Sequence, residues 1–163
     1  MKQVTTKKAV LFLGCVLLSG LTFAKDLPTV EVLPIELAQK IAKAAYKNCV
    51  EQGATPSVSI VDQQGTLMYF QRGENAGPHS AKTSFRKAYT AATLKMPTST
   101  FAAFVDMPKF SQLAKMGDDI LLLTGGLPII NKSAVIGGIG ISGAPSPELE
   151  EKCAADALAS EFK

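Results

Sequence analysis

Residues 57–72 read SVSIVDQQGTLMYFQR and decide the fold, because they form two strand-like runs joined by a turn. In the first run Val58 and Ile60 alternate with polar residues, as in a strand with one buried face. The DQQG sequence that follows favours a tight turn, since Gly65 accepts the positive φ that such a hairpin requires. The stretch therefore predicts a β-hairpin.

The second strand of this hairpin, TLMYFQR, carries both apolar and charged side chains. Because successive side chains of a strand point to opposite faces, we expect Leu67 and Tyr69 on one face. The other face is then expected to carry Met68, Phe70 and Arg72.

Helices are predicted on both sides of the hairpin. Apolar residues recur at helical spacing between Pro34, which suits a helix start, and Gly53, which suits a helix end. A second helix is predicted over residues 79–96, and Pro97 ends it. A shorter helix is expected next, with Thr98 or Ser99 as its cap and Phe101, Phe104 and Val105 along it.

The last part of the chain predicts a second hairpin and a final helix. Residues 127–130 and 134–141 flank a polar turn, and Pro147, or Ser146 as its cap, opens the helix. The order is helix, hairpin, helices, hairpin, helix. This order predicts an α+β domain whose mainly antiparallel sheet carries helices on its faces.

Residues 138–143, GIGISG, match the dinucleotide-binding fingerprint only in their letters. That fingerprint works where a strand turns directly into a helix, whereas these glycines lie within a predicted strand. We expect them instead to let a helix or a neighbouring subunit approach the sheet closely. The spacing of His and carboxylate residues does not fit a zinc site, and Ser142 lacks the glycines two positions away on both sides that a serine-hydrolase elbow needs.

Residues 1–24 read as a signal peptide. Lys2, Lys7 and Lys8 precede an apolar stretch that is too short to span a bilayer, and small residues flank Phe23. Cleavage is therefore predicted after Ala24, with a periplasmic or secreted destination. The remaining residues, 25–163, are expected to form a single domain with no membrane span.

Loss of the signal peptide changes the charge balance. The chain has 17 Lys and Arg and 14 Asp and Glu residues, and three of the basic residues lie in the signal peptide. The mature chain is then close to neutral. No basic field remains that would favour nucleic acid as a partner.

Cys49 and Cys153 remain in the predicted mature chain. A disulfide that closes a loop of this length would stabilise the fold by roughly 4 kcal/mol in the chain-entropy model. Two separate buried thiols are the alternative.

The candidate ligand site centres on His79, the only histidine. His79, Lys82 and Arg86 share one helical face at i, i+3 and i+7 spacing. An imidazole can ligate haem iron as an axial ligand, and Arg and Lys side chains can pair with propionate carboxylates. The pattern suggests haem or a related tetrapyrrole as the small-molecule ligand.

Further residues complete this candidate site. Phe85 and Tyr89 form the adjoining helical stripe, and the facing strand supplies Arg72 as a third cation. Met68 and Phe70 could pack against a ring plane, and Tyr89 is the alternative metal ligand. A solvated helix face with a surface histidine is the competing interpretation, which spacing alone favours by about three to one.

Four blocks in order carry a family resemblance: ELAQKIAKAA, SVSIVDQQGTLMYFQRGENAGPHS, RKAYTAATLKMPTST and TGGLPIINKSAVIGGIGISGAPSPELEEKCA. They cover nearly all of the predicted mature chain. Together they resemble the GlcG/HbpS family, which is named for haem degradation and is related to the C-terminal domain of the PduO adenosyltransferases.

The resemblance implies a profilin-like antiparallel sheet flanked by helices, with the first and last helices on one side, and assembly into homo-oligomers. That arrangement favours a Cys49–Cys153 disulfide.

Some members bind haem, and others are associated with haem degradation or corrinoid chemistry. We therefore expect an exported haem- or tetrapyrrole-binding protein. The alternatives are an oxidative haem-degrading enzyme and an oligomeric binding module for another metabolite. The axial role of His79 follows from its chemistry and not from the family.

Overall fold

The computed structural model describes residues 29–105, 107 and 112–162. The predicted signal peptide, residues 1–24, lies outside the described residues. The elements in chain order are α1 (Ile35–Glu51), β1 (Ser57–Asp62), β2 (Leu67–Arg72), α2 (Pro78–Leu94), α3 (Thr98–Ala102), a 3-10 turn (Leu113–Lys115), β3 (Gly126–Asn131), β4 (Ala134–Ser142) and α4 (Pro147–Glu161).

The four strands form one antiparallel sheet in the order β2-β1-β4-β3, with each hairpin at one side of it. Helix α2 packs on one face, against β4, β1 and β3, while α1 and α4 pack against each other and against the strands from the other face. Among the described residues no helix is long and apolar enough to cross a membrane. The α+β prediction, with the first and last helices on one side, is confirmed.

The face covered by α1 and α4, called the aliphatic face below, is filled by branched side chains. Val58, Ile60, Ile139 and Ile141 from β1 and β4 are fully buried there. Small residues of the two helices pack on them, namely Ala38, Ala42, Ala45, Ala154 and Ala157. Burial of apolar surface therefore holds this side of the sheet together.

The predicted disulfide closes the aliphatic face. Cys49 near the end of α1 is bonded to Cys153 in α4, with a Cα–Cα distance of 5.5 Å. Both residues are buried. The bond joins the two helices that the sequence places at opposite ends of the domain, so the pairing is confirmed.

The face covered by α2 is made of small residues. A Cβ atom on Gly140 would lie 2.1 Å from the backbone oxygen of Ser84, and one on Gly138 would lie 2.4 Å from that of Ala88. Hydroxyl groups also connect the layers, since Ser59 Oγ lies 2.8 Å from Ser84 Oγ. The glycines of residues 138–143 thus let a helix approach the sheet closely, as expected.

The short helix α3 differs from its prediction. It ends at Ala102, before Phe104 and Val105, and neither expected residue caps it. Thr98 Oγ1 instead accepts a hydrogen bond from the Gly126 backbone N–H at 2.9 Å, and the Ser99 hydroxyl donates to Glu151. Both hydroxyl groups form tertiary hydrogen bonds, so neither is available to cap α3. At α4, in contrast, Ser146 does cap the helix by accepting from Leu149 N–H at 3.2 Å.

The alternation predicted for β2 is wrong at Leu67 and Met68, which lie on the faces opposite to those expected. The register shifts between Ile60 and Val61, so that Ile60 lies opposite Tyr69 and Val61 lies opposite Leu67. Met68 and Tyr69 both pack against the core of the aliphatic face. Leu67 shares the α2 side with Val61, which packs against α2. A β-bulge of this kind moves one residue out of the two-residue period.

Candidate functional site

Five of the eight residues predicted for the ligand site lie along one strip of surface. Strand β2 is an edge strand, and α2 lies over the other three strands, so the α2-side residues of β2 stay largely uncovered. We call the strip the β2–α2 face. It consists of Leu67, Phe70 and Arg72 from β2 and of Lys82, Phe85 and Tyr89 from α2.

The pairing of β1 places the β2 residues alongside α2. Ser57 is the partner of Arg72, and its hydroxyl lies 2.8 Å from that of Ser80 in the first turn of α2. Ser59 is the partner of Phe70 and contacts Ser84, one turn further along the helix. Arg72 therefore stands level with the start of α2, and Phe70 follows one turn later.

The α2 side of this face follows from helical spacing. Lys82, Phe85 and Tyr89 stand at i, i+3 and i+7, so they share one side of the helix. The ring centroids of Phe85 and Tyr89 lie 6.1 Å apart. The Tyr89 ring also covers the turn of the first hairpin, because a Cβ on Gly65 would lie 2.4 Å from Tyr89 Cδ2. The turn glycine is thus needed for space as well as for its φ of +86°.

The centre of the β2–α2 face is apolar and accessible. Leu67 is 48% exposed and Phe70 is 38% exposed, while Phe85 and Tyr89 are half-buried. Large side chains of this kind gain free energy when a ligand removes them from water. The face can therefore bind a flat apolar surface.

Cations border the apolar centre at the start of α2. Arg72 and Lys82 are exposed, and within the described part of the chain neither forms an ion pair with a carboxylate. Arg72 Nη2 donates to the backbone oxygen of Ala76, which orients its guanidinium group. Both side chains are free to pair with a carboxylate of a ligand.

Two predicted residues lie away from this face. Met68 packs on the aliphatic face because of the bulge, so its placement beside Phe70 and Arg72 is wrong. Arg86 is held away from the β2–α2 face, because its Nη2 donates to the Ile120 backbone oxygen at 2.8 Å, beside the cleft described below.

His79 stands in the first turn of α2 and is exposed. Its ring lies over the preceding loop, since a Cβ on Gly77 would be 2.7 Å from His79 Cε1. Neither ring nitrogen has a hydrogen-bond partner among the described residues, so both are open to an external ligand. His79 shares the exposed side of α2 with Lys82 and lies at the border of the β2–α2 face.

Lys87, a third cation of α2, is also not available to a ligand. It is only 3% exposed and forms an ion pair with Glu150 at the start of α4. The other carboxylate oxygen of Glu150 accepts from the backbone N–H groups of Gly143 and Ala144. The pair therefore connects the two layers of helices across the end of the sheet.

A cleft that the sequence did not reveal continues from Tyr89. It has a volume of ≈ 280 Å³ and lies between the second half of α2 and the segment before Leu121. Its walls include Thr93, Met116, Asp118 and Asp119. Strand periodicity and helical spacing could not predict that Asp118 and Asp119 lie near Tyr89. About thirty residues separate them in sequence, and only a tertiary contact brings them together. Within the described residues, no group of three His, Cys, Asp or Glu side chains could hold a metal ion.

Comparisons with known proteins give the same assignment as the sequence blocks. The chain matches the family model described as haem degrading protein HbpS-like over residues 33–159. An uncharacterised 15.0 kDa protein of the dhaT-dhaS intergenic region of Citrobacter freundii is 32% identical over 118 residues, which are 70% of this chain and 82% of that protein. Protein GlcG of Escherichia coli is 25% identical over 111 residues, 68% of this chain and 81% of GlcG.

Solved structures share the fold. A double mutant of Streptomyces reticuli HbpS superposes with a TM-score of 0.78 and 35% identity, covering 85% of this chain and 94% of the other. A PduOC:heme complex superposes with a TM-score of 0.74 and 27% identity, covering 80% and 95%. The chain therefore belongs to the HbpS-like family.

Proposed function

We propose that this protein binds haem or a closely related tetrapyrrole on the β2–α2 face. The observation that carries the proposal is the composition of that face, an accessible apolar strip with unpaired cations at one end. This composition fits a flat ring that bears carboxylates. Membership of the HbpS-like family, and the likeness to a protein solved with heme, support the choice of ligand.

The residues of the face have separate roles in this proposal. Leu67, Phe70 and Phe85 pack against the ring plane, and burial of a large apolar side chain contributes about 1.5–3 kcal/mol. Arg72 and Lys82 pair with the propionates. Arg86 and Met68 are left with structural roles, because both side chains pack elsewhere in the domain.

The metal ligand is proposed to be Tyr89 or His79. Tyr89 lies within the face, whereas His79 lies at its border in the first turn of α2. When bound, haem would supply a redox-active iron, and the protein would orient the ring and limit its contact with water.

Titration of the purified protein with hemin tests this proposal. We expect a shifted Soret band and saturable binding, and loss of the shift in either Tyr89→Phe or His79→Ala, whichever residue is the ligand. Lys95→Ala, at an exposed position just after α2, is the matched control and should bind as the natural chain does. The proposal is wrong if hemin gives no saturable spectral change.

Oxidative haem degradation is the second candidate function, because the family model carries that description. A degrading enzyme would lose the Soret band of bound haem with release of iron in the presence of a reductant and oxygen. Catalase should not slow this loss if the protein directs the chemistry. A Soret band that is stable under these conditions would mean that the protein binds haem without degrading it.

Export and assembly remain proposals as well. We propose cleavage after Ala24, which predicts a mature N-terminus at Lys25 by mass spectrometry of the protein from an exporting host. We also propose a homo-oligomer, to which the unpaired backbone edge of strand β2 lends support. Light scattering at several concentrations would reveal a monomer if this proposal is wrong.

A further inference from the structure

Charges of opposite sign lie at the two ends of the β2–α2 face. Arg72 and Lys82 stand at the start of α2. Asp118 and Asp119 line the cleft that begins at Tyr89. Among the described residues no Lys or Arg lines that cleft, although Arg86 donates to the backbone oxygen of Ile120 in its wall. A ligand on this face would therefore meet a cationic end and an anionic end.

Hydrogen bonds hold these two ends in place. The contact between Ser57 and Ser80 keeps Arg72 level with the first turn of α2. At the other end Thr90 Oγ1 accepts from the Leu121 backbone N–H at 2.8 Å, which attaches the segment after Asp119 to the helix. Residues 80 and 90 lie about 15 Å apart along an α-helix, which is comparable with the width of a porphyrin.

The backbone of α2 adds to the same polarity. A helix N-terminus carries partial positive charge and its C-terminus partial negative charge. The cationic end of the face lies beside the N-terminal turns of α2, and the cleft lies beside its last turns. The helix therefore favours anions at the same end as Arg72 and Lys82.

Other charges nearby do not reverse this polarity. Glu74 lies in the exposed loop before α2 and forms no ion pair within the described residues. Lys95 and Lys115 are exposed near the other end, but neither lines the cleft. Arg86 lies beside the cleft, since it donates to the Ile120 backbone oxygen, but its single positive charge is fewer than the two carboxylates of Asp118 and Asp119.

We infer that the face selects tetrapyrroles whose carboxylates are gathered on one edge of the ring. This inference rests on the proposed function. The carboxylate edge lies towards Arg72 and Lys82, and the apolar edge lies towards Tyr89 and Asp119. A ring with carboxylates on every side would place at least one of them against the Asp118 and Asp119 carboxylates, where like charges repel.

Two metal-free porphyrins test the inference without iron ligation. Protoporphyrin IX carries two propionates on one edge, and coproporphyrin I carries four, one on each pyrrole. We expect coproporphyrin I to bind the natural chain about tenfold more weakly in a fluorescence titration. The double variant D118N/D119N should bind coproporphyrin I about tenfold more tightly than the natural chain, and protoporphyrin IX within about twofold.

Two further variants separate this effect from net charge. R72Q/K82Q should weaken both porphyrins by about tenfold, because both ligands use the cationic end. E36Q/E148Q removes the same charge as D118N/D119N from exposed first-turn positions of α1 and α4 and should change neither affinity.

Equal affinity for both porphyrins, unaltered in D118N/D119N, would overturn the inference and leave the proposed function standing. If neither porphyrin binds although hemin does, the inference fails and the proposed function stands, whereas failure of hemin to bind as well would overturn both.

Discussion

The two faces of the sheet are built from different residues and are held by different forces. On the aliphatic face Val58, Ile60, Ile139 and Ile141 are buried beneath two helices that a disulfide joins. On the α2 face Ser and Gly residues allow a single helix to approach within contact of the strand backbone. One face gains stability from apolar area, and the other from close packing and paired hydroxyl groups.

This difference accounts for the position of the candidate site. Two helices span the whole sheet on the aliphatic face, whereas a single helix centred on β4 covers three strands on the other. The α2 side of β2 is left accessible, with Leu67 and Phe70 at its surface. The proposed binding surface therefore lies where the helices leave one side of the edge strand uncovered.

The largest loss of stability is expected when the disulfide of the aliphatic face is removed. The disulfide joins residues that are 104 positions apart, so replacing Cys49 and Cys153 by Ala should lower the free energy of unfolding by about 4 to 5 kcal/mol. Urea denaturation of the oxidised natural chain and of the double variant measures this difference. An unchanged midpoint would show that the bond contributes little to the stability of this face.

A slightly smaller loss of stability is expected when the buried ion pair between the two helix layers is broken. Lys87→Met should cost about 3 to 4 kcal/mol, because it leaves the Glu150 carboxylate buried without its cation. Lys47→Met on α1 is the matched control, since Lys47 and Glu51 form an exposed pair 3.7 Å apart. The control should change the free energy of unfolding by less than about 0.5 kcal/mol. Equal losses in the two variants would contradict a structural role for the buried pair.

A third, smaller effect tests the close packing of α2. Gly140→Ala should destabilise the protein by about 2 kcal/mol, because the added Cβ would meet the Ser84 backbone oxygen. Gly117→Ala is the control, since no atom lies within 4 Å of the corresponding Cβ position. Thermal unfolding of both variants gives the comparison. If Gly140→Ala is as stable as the control, α2 does not depend on the small residues of β4.

Most of the fold could be predicted because it depends on local periodicity. Both hairpins, the long helices and the Ser146 cap follow from alternation, helical spacing and turn chemistry. The Cys49–Cys153 pairing needed the family arrangement, because the two cysteines are far apart in sequence and spacing alone left separate thiols possible. The end of α3 could not be predicted, since its hydroxyl groups bond to β3 and α4.

The candidate site was predicted in part for the same reason. Helical spacing correctly grouped Phe85 with Tyr89, and the strand pattern placed Phe70 beside Arg72. Leu67 and Met68 lie on the faces opposite to those predicted because a bulge depends on the register with β1, which one strand does not reveal. Arg86, which was expected among the ligand cations, contacts a loop that only tertiary folding brings to the helix.

The most direct measurement of the central claim compares two exposed aliphatic residues on opposite edges of the sheet. Leu67 on β2 is 48% exposed and Ile130 on β3 is 47% exposed, so each can be changed to Gln with a similar loss of exposed apolar surface. If haem binds on the β2–α2 face, Leu67→Gln raises the dissociation constant for hemin by about tenfold and Ile130→Gln changes it by less than about twofold. Equal dissociation constants for the two variants would contradict the account.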